Sequence, residues 1–317
     1  RETIETELAR HKTVSSLLEL VDADEVVGMD EHPVAAVRAK TSSSIRVAMR
    51  LVKSGEADAV VSAGNSGAVM AAALFELGRI GGIERPAISA ILPTPNRKAI
   101  LLDVGANVDC KPQYLLQFAI MGSLYVERVL GVKNPSIALL SNGEEATKGN
   151  QLTQETYQLL KQTNLNFLGN IEGKDLPSGV VDVIVADGFV GNVALKLSEG
   201  LSQAMLQMIR EELGRDIVSM LAAGLLLPAF GRLRHRLDYS EVGGAPLLGV
   251  NGVCIIAHGR ADAKAIRSAI RMARQAADQN IVEAIKEGIQ SSVEGELNVR
   301  RHITAAKLPR EALAKED

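Results

Sequence analysis

Val181-Asp182-Val183-Ile184-Val185-Ala186-Asp187-Gly188-Phe189-Val190-Gly191-Asn192 starts as an apolar strand, Val181–Ala186, and ends in a glycine-rich bend, with a helical pattern from Val193 onward. Glycine lets the backbone turn sharply and lets a ligand approach closely. The helix that follows presents unpaired N–H groups and a partial positive charge, which together make an anion site. Two further elbows have the same grammar. The first is Ser62-Ala63-Gly64-Asn65-Ser66-Gly67; the second is Ser141-Asn142-Gly143, running through Glu144–Thr147 to Lys148-Gly149-Asn150. In open α/β sheets ligands bind beyond the carboxyl ends of strands, where such elbows sit. A lone Gly-Asn bend also closes many strands and caps many helices without a ligand; three in one chain favour the set. The candidate ligand residues are therefore Gly64, Asn65, Ser66 and Gly67, then Asn142 and Gly143, then Asp187, Gly188 and Gly191.

Outward from the elbows, apolar runs predict strands at Ala59–Ser62, Ala87–Leu92, Ile100–Val104, Ser136–Leu140, Phe167–Ile171, Val181–Ala186 and Gly252–Ala257. Helical patterns cover Ser42–Lys53, Ala68–Leu77, Pro112–Leu130, Gln151–Gln162 and Asp262–Glu287. Strand, helix, strand at this spacing predicts an α/β fold with a parallel sheet between helical layers. Residues 1–290 read as one α/β domain and residues 291–317 as a charged tail. Within that domain residues 193–239 hold two helical patterns parted near Gly224 and Pro228, a hairpin projecting from the body.

The chain has 317 residues, is 46% apolar and only 3% aromatic, and carries a net charge of −3. Such a chain buries an aliphatic core, and its charge offers no bulk attraction to nucleic acid. Two cysteines, Cys110 and Cys254, form no disulfide framework and fit a reducing, cytoplasmic setting. The longest apolar run, Met220–Phe230, is roughly half the length of a membrane-crossing helix. No dinucleotide fingerprint, Walker P-loop, GxSxG elbow or HExxH is present, and none of the five histidines pairs with other ligands at metal spacing. Neither a cofactor nor a metal is expected.

Asp103, inside the apolar run of Leu101-Leu102-Asp103-Val104-Gly105-Ala106-Asn107, is a carboxylate that needs partners and fits a loop-fixing role. It and Asn107 count among the candidates, as does His258, which follows a strand and either lines the pocket or makes a structural bond. The apolar stretch Leu221–Phe230, followed by Arg232, Arg234, His235 and Arg236, fits an anionic membrane surface as well as it fits burial against a partner subunit or the body of the fold.

In order along the chain, SAGNSG (Ser62–Gly67), GRIGGIERP (Gly78–Pro86), LLDVGANVDCKP (Leu101–Pro112), AIMGS (Ala119–Ser123), KGN (Lys148–Asn150), DGFVGNVALK (Asp187–Lys196), YSEVGG (Tyr239–Gly244) and AHG (Ala257–Gly259) resemble the bacterial phosphate acyltransferases, the PlsX family. The resemblance spans about Glu31 to Glu287. Members open with a strand and a D-A-M-G-G-D turn that is absent here. The chain begins at Arg1-Glu2-Thr3-Ile4-Glu5, which reads as the inside of a helix, so a preceding piece is expected. The Pro93–Asn96 loop is also shorter than is usual.

The resemblance implies a fold like that of phosphotransacetylase and isocitrate dehydrogenase. It implies transfer of a fatty acyl group from acyl carrier protein to inorganic phosphate for phospholipid synthesis. It also implies a homodimer, association with the membrane surface and with the membrane glycerol-3-phosphate acyltransferase, and Lys148 and Asn192 at the active site. Chemically, a phosphate oxygen attacks a thioester whose thiol leaves readily, so the site needs a positioned phosphate and a stabilised oxyanion. The alternatives are a short-chain phosphotransacetylase using coenzyme A and a non-catalytic phosphate- or acyl-binding scaffold.

Overall fold

The computed structural model describes residues 1–11, 17–95, 97–237 and 243–291. Eight strands form one sheet: β1 (Ala59–Ser62), β2 (Ala87–Pro93), β3 (Lys98–Leu102), β4 (Ile137–Leu140), β5 (Phe167–Ile171), β6 (Val183–Val185), β7 (Ala245–Leu248) and β8 (Val253–Ile256), in spatial order β1-β8-β7-β2-β3-β6-β4-β5. The helices are α1 (Glu2–Leu8), α2 (Pro33–Ala39), α3 (Ser44–Ser54), α4 (Ser66–Glu76), α5 (Pro112–Arg128), α6 (Gln151–Lys161), α7 (Gly188–Leu213), α8 (Ile217–Leu237) and α9 (Ala263–Asp278).

The three layers follow from the two-residue period of the strands. Ile100 and Leu102 of β3 and Val183 and Val185 of β6 point to one face, where α5 covers them with Phe118 and Tyr125, while α9 covers β8 and β1 on the same face with Ala269. Leu101 and Ile184, one residue out of step, join the core on the opposite face. Beneath β1 and β8 on that opposite face, Val37 of α2, Met49 of α3 and Val69 of α4 enclose Val60 and Ile256. Each fully buried aliphatic side chain contributes about 1.5–3 kcal/mol.

The sheet is mixed rather than parallel throughout. β1/β8, β3/β6, β4/β6 and β4/β5 pair in parallel, while β2/β3, β2/β7 and β7/β8 are antiparallel. The short stretch between β2 and β3 cannot hold a crossover helix, so the chain must return antiparallel. Strand β7 has no counterpart among the expected strands: its run is four residues long and contains Pro246. This reversal sets which strand ends share an edge. The carboxyl ends of β3, β4 and β6 lie at one edge of the sheet, and those of β1 and β8 at the other.

Two helical expectations change. The hairpin turns at Gly214–Asp216, with Gly214 ending α7 and Asp216 accepting the Ser219 N–H to open α8. Gly224 and Pro228 lie inside α8. Pro228 lacks the amide that would bond the carbonyl of residue 224, and a glycine at 224 removes a side chain from that strained turn. The stretch Leu221–Phe230 is thus a helical segment and not a bend. At the C-terminus the single expected helix divides: α9 ends at Asp278, Asn280 takes φ +49, and residues 281–291 are helical again. Asparagine is one of the few residues that terminates a helix in this left-handed region. Residues 292–317, most of the Tyr239–Gly244 match, Asn96 and the side chains of Arg232–Arg236 lie outside the described residues.

Candidate active site

The second and third elbows meet. Ser141 and Asn142 leave β4, Ala186 and Asp187 leave β6, and between them lies a cleft of about 280 Å³. Leu115, Leu140 and Val190 form an apolar wall. Ser141, Asn142, Asn150 and Asp187 supply polar atoms to the same lining.

The second elbow is held open by its own side chains. Asn142 Oδ1 accepts the Gly149 N–H at 2.8 Å. Asn150 caps α6 by accepting the Thr153 N–H and hydroxyl, each at 2.9 Å. Gly149 has φ +92, and a Cβ there would lie 2.7 Å from Thr153, so a side chain is excluded on conformation and space together. Lys148 is exposed and folds over Gly143, its Cγ 2.7 Å from where a Cβ would be. Ser141 Oγ is buried with no hydrogen-bond partner among the described residues. A buried hydroxyl without a protein partner calls for a water or a ligand to complete it.

The third elbow is closed differently. Asp187 Oδ1 accepts the N–H groups of Phe189 and Val190 at 3.0 and 2.9 Å, and the Gly188 N–H donates to the Asn107 carbonyl at 2.8 Å. Its first amides are therefore already engaged by the chain itself, so this elbow offers the cleft its shape and the Asp187 carboxylate. An anion entering the cleft meets that negative charge and needs a compensating cation.

Asp103 ties the third elbow to the sheet. It is fully buried and accepts four hydrogen bonds: from Ile88 N–H (3.1 Å), Ala106 N–H (3.1 Å), Asn107 N–H (2.7 Å) and Asn107 Nδ2 (2.9 Å). Burial raises its pKa above the ordinary carboxylate value, opposed by those four donors. A Cβ on Gly191 would lie 2.0 Å from the Asp103 carbonyl oxygen, so the first turn of α7 packs against this loop only with glycine there. Asn192 is exposed and lies beside Gly105.

The first elbow is elsewhere. Gly64, Asn65, Ser66 and Gly67 follow β1 and so occupy the other edge of the sheet, against residues 29–33. Asn65 Oδ1 caps α4 by accepting the Ala68 N–H, and Asn65 Nδ2 donates to the carbonyls of Met29 and Glu31. His258 is at that same edge, exposed, with Nδ1 accepting the Arg260 N–H at 3.0 Å. The structure thus brings Asn142 and Asp187 to one cleft, sets Gly143 and Lys148 on the second elbow beside it and Asp103, Asn107, Gly188, Gly191 and Asn192 around the third, and places the first elbow and His258 at the other edge of the sheet. Ser141 is the residue that reading the sequence passed over. Its signal was its place at the end of a strand, directly before Asn-Gly.

Burial, with help from the nearby carboxylates of Asp103, Asp187 and Asp109, pushes the Cys110 thiol up to about 11. It stays protonated at neutral pH and is a poor nucleophile. Glu144, Glu172 and Asp175 bring carboxylate oxygens within 4.8 Å of one another. Glu172 and Asp175 cap a 3₁₀ turn reciprocally, and Lys174 pairs with Glu144 and Glu172.

The fold is a three-layer α/β architecture shared with a phosphotransacetylase from Streptococcus pyogenes, at TM-score 0.50 and 16% identity over 81% of this chain and 70% of that one. The family model described as fatty acid synthesis protein matches residues 1–284. The chain is 56% identical over 252 residues to a phosphate acyltransferase of Desulforamulus reducens, covering 80% of this chain and 75% of the relative. It is 53% identical over 267 residues to that of Geobacter sulfurreducens, covering 84% and 77%. The chain belongs to the phosphate acyltransferase family, and it is an acyltransferase enzyme.

Proposed function

We propose that the enzyme transfers a long acyl chain from acyl carrier protein to inorganic phosphate in the cleft between the second and third elbows, supplying acyl-phosphate to phospholipid synthesis. The observation that supports this reading is a cleft between the two elbows lined by both polar and apolar side chains, with the unpartnered Ser141 hydroxyl buried in its wall. Phosphate sits against Ser141, Gly143 and Lys148. Its oxygen attacks the thioester carbonyl, the new C–O bond forms to give a tetrahedral oxyanion, and collapse of that intermediate breaks the C–S bond. The proton of the phosphate passes to the departing sulfur, whose thiol has a pKa near 8.5. Lys148 and the side-chain amide of Asn192 stabilise the tetrahedral oxyanion without changing their own protonation. Leu115, Leu140 and Val190 take the start of the acyl chain.

The hairpin supports a further part of the reading. Val193, Leu197 and Leu201 of α7 and Ile217, Leu221 and Leu225 of α8 are exposed, a surface suited to a second subunit or a bilayer. Among the described residues no helix is long and apolar enough to cross a membrane. The test of function is a thiol-release assay offering palmitoyl-acyl carrier protein and acetyl-coenzyme A side by side, with and without phosphate. Phosphate-dependent release from the long-chain carrier substrate alone is expected. Preference for acetyl-coenzyme A supports the short-chain alternative, and phosphate binding without thiol release supports a scaffold.

A further inference from the structure

A second recess, of about 340 Å³, opens at the same edge of the sheet, where β2 begins. Its lining is Leu74, Arg79, Glu84, Arg85, Pro86 and Tyr114. The volume falls within the range of small-ligand sites. Two guanidinium groups face one carboxylate there, and neither Arg79 nor Arg85 forms an ion pair among the described residues. Both are held in place by other means. Arg79 donates to the Glu84 carbonyl, and the Arg85 guanidinium lies over the Tyr114 ring, 5.9 Å from its centroid. Tyr114 itself is only 8% exposed, lines the recess, and has a hydroxyl without a partner among the described residues. Two anchored guanidiniums and the unpartnered hydroxyl of a largely buried tyrosine form a donor set for phosphate or carboxylate oxygens.

The recess and the elbow cleft are neighbours across the start of α5: Tyr114 faces one and Leu115 the other. Strands β2, β3, β6 and β4 are adjacent in the sheet, so the two sites are separated by three strand spacings, roughly 14 Å. A pantetheine arm spans about 17 Å from sulfur to phosphate, the reach of some five extended residues. We infer that this recess binds the phosphate ester at the far end of the acyl donor's pantetheine arm while the thioester lies in the elbow cleft. The inference rests on the thioester reading above and adds a donor-recognition site to it.

The test compares decanoyl-pantetheine with decanoyl-4′-phosphopantetheine as free donors, for the wild-type enzyme and for Arg79→Gln, Arg85→Gln and Tyr114→Phe. In the wild type the phosphorylated donor has a KM lower by roughly tenfold to hundredfold, the worth of hydrogen bonds to a charged group. In Arg85→Gln the ratio of kcat/KM between the two donors collapses toward one. Equal KM values in the wild type, or an equal loss for both donors in the variant, overturn the assignment. So does a rise in KM for inorganic phosphate with the donor ratio intact, which gives the recess to free phosphate. Impairment only with carrier-protein donors assigns the arginines to the carrier's surface and also overturns it. If no donor releases thiol, the functional reading fails on its own. Calorimetric binding of 4′-phosphopantetheine, abolished in Arg85→Gln, then still upholds the recess, and its absence in the wild type overturns it.

Discussion

Asp103→Asn keeps the shape of the side chain and removes half its accepting power. Oδ1 accepts from Ile88 and Ala106, and Oδ2 from the backbone and side chain of Asn107. Whichever oxygen becomes an NH₂ group, two of the four donors then face another donor. Each lost bond to a charged acceptor is worth about 1.5–3 kcal/mol, giving about 3–6 kcal/mol for the pair. The substitution also removes a buried charge whose desolvation raises the pKa of Asp103, and that gain offsets part of the loss. A net destabilisation of about 2–4 kcal/mol follows. Urea unfolding followed by circular dichroism measures it. The pH dependence adds a signed check. Because the folded-state pKa is raised, the native wild type holds this proton more tightly than the unfolded chain. Its stability therefore falls as pH rises through the window above about 3.9. The asparagine variant lacks that fall, so the gap between the two proteins is widest at the acid end of the window and narrowest at pH 7. A variant within 0.5 kcal/mol of wild type at pH 7, or a gap that grows with pH, refutes the reasoning.

Gly191→Ala drives a Cβ to 2.0 Å from a backbone oxygen that no side-chain movement relieves; thermal and urea unfolding are expected to show a loss of about 3 kcal/mol or more. Lys148→Ala lowers turnover by roughly 10²–10³ in the thiol-release assay with the melting temperature retained, and wild-type turnover removes Lys148 from the mechanism. Burial alone would raise the pKa of Asp182, yet the Ser136 hydroxyl and amide together with Arg97 hold it below the ordinary value. Its contribution to stability is present above about pH 3.9 and is lost as pH falls through the lower folded value, so Asp182→Asn flattens the acid limb of the stability curve. Leu226→Asp reduces cosedimentation with anionic vesicles if the hairpin meets a bilayer, and unaltered cosedimentation assigns that surface to another partner.

The sequence carried the periodicities well. β1 and β5 begin and end where the apolar runs do, and α4, α5 and α6 open within two residues of their expected starts. Strand direction was not legible, because the two-residue period is the same for either direction. The few residues joining β2 to β3 held the clue, since they leave no room for a crossover. Together with the antiparallel β2/β7 and β7/β8 pairs, that reversal decides the site: it puts the first elbow and His258 at one edge and the other two elbows at the opposite one. The use already made of the Phe189 and Val190 amides was hidden for a similar reason, since Asp187 reads equally as ligand or as helix cap. Ser141 and Tyr114 became candidates only once their surroundings were known. An unpartnered hydroxyl is a property of tertiary packing, which a single residue in a sequence does not carry.

The placement of phosphate is tested most directly by titrating inorganic phosphate into protein labelled with ¹⁵N-glycine and following the amide resonances. The account predicts saturable shifts at Gly143 and Gly149, attenuated in Lys148→Ala, with Gly64 and Gly67 unmoved. Shifts confined to Gly64 and Gly67 would place the anion at the other edge of the sheet and contradict it.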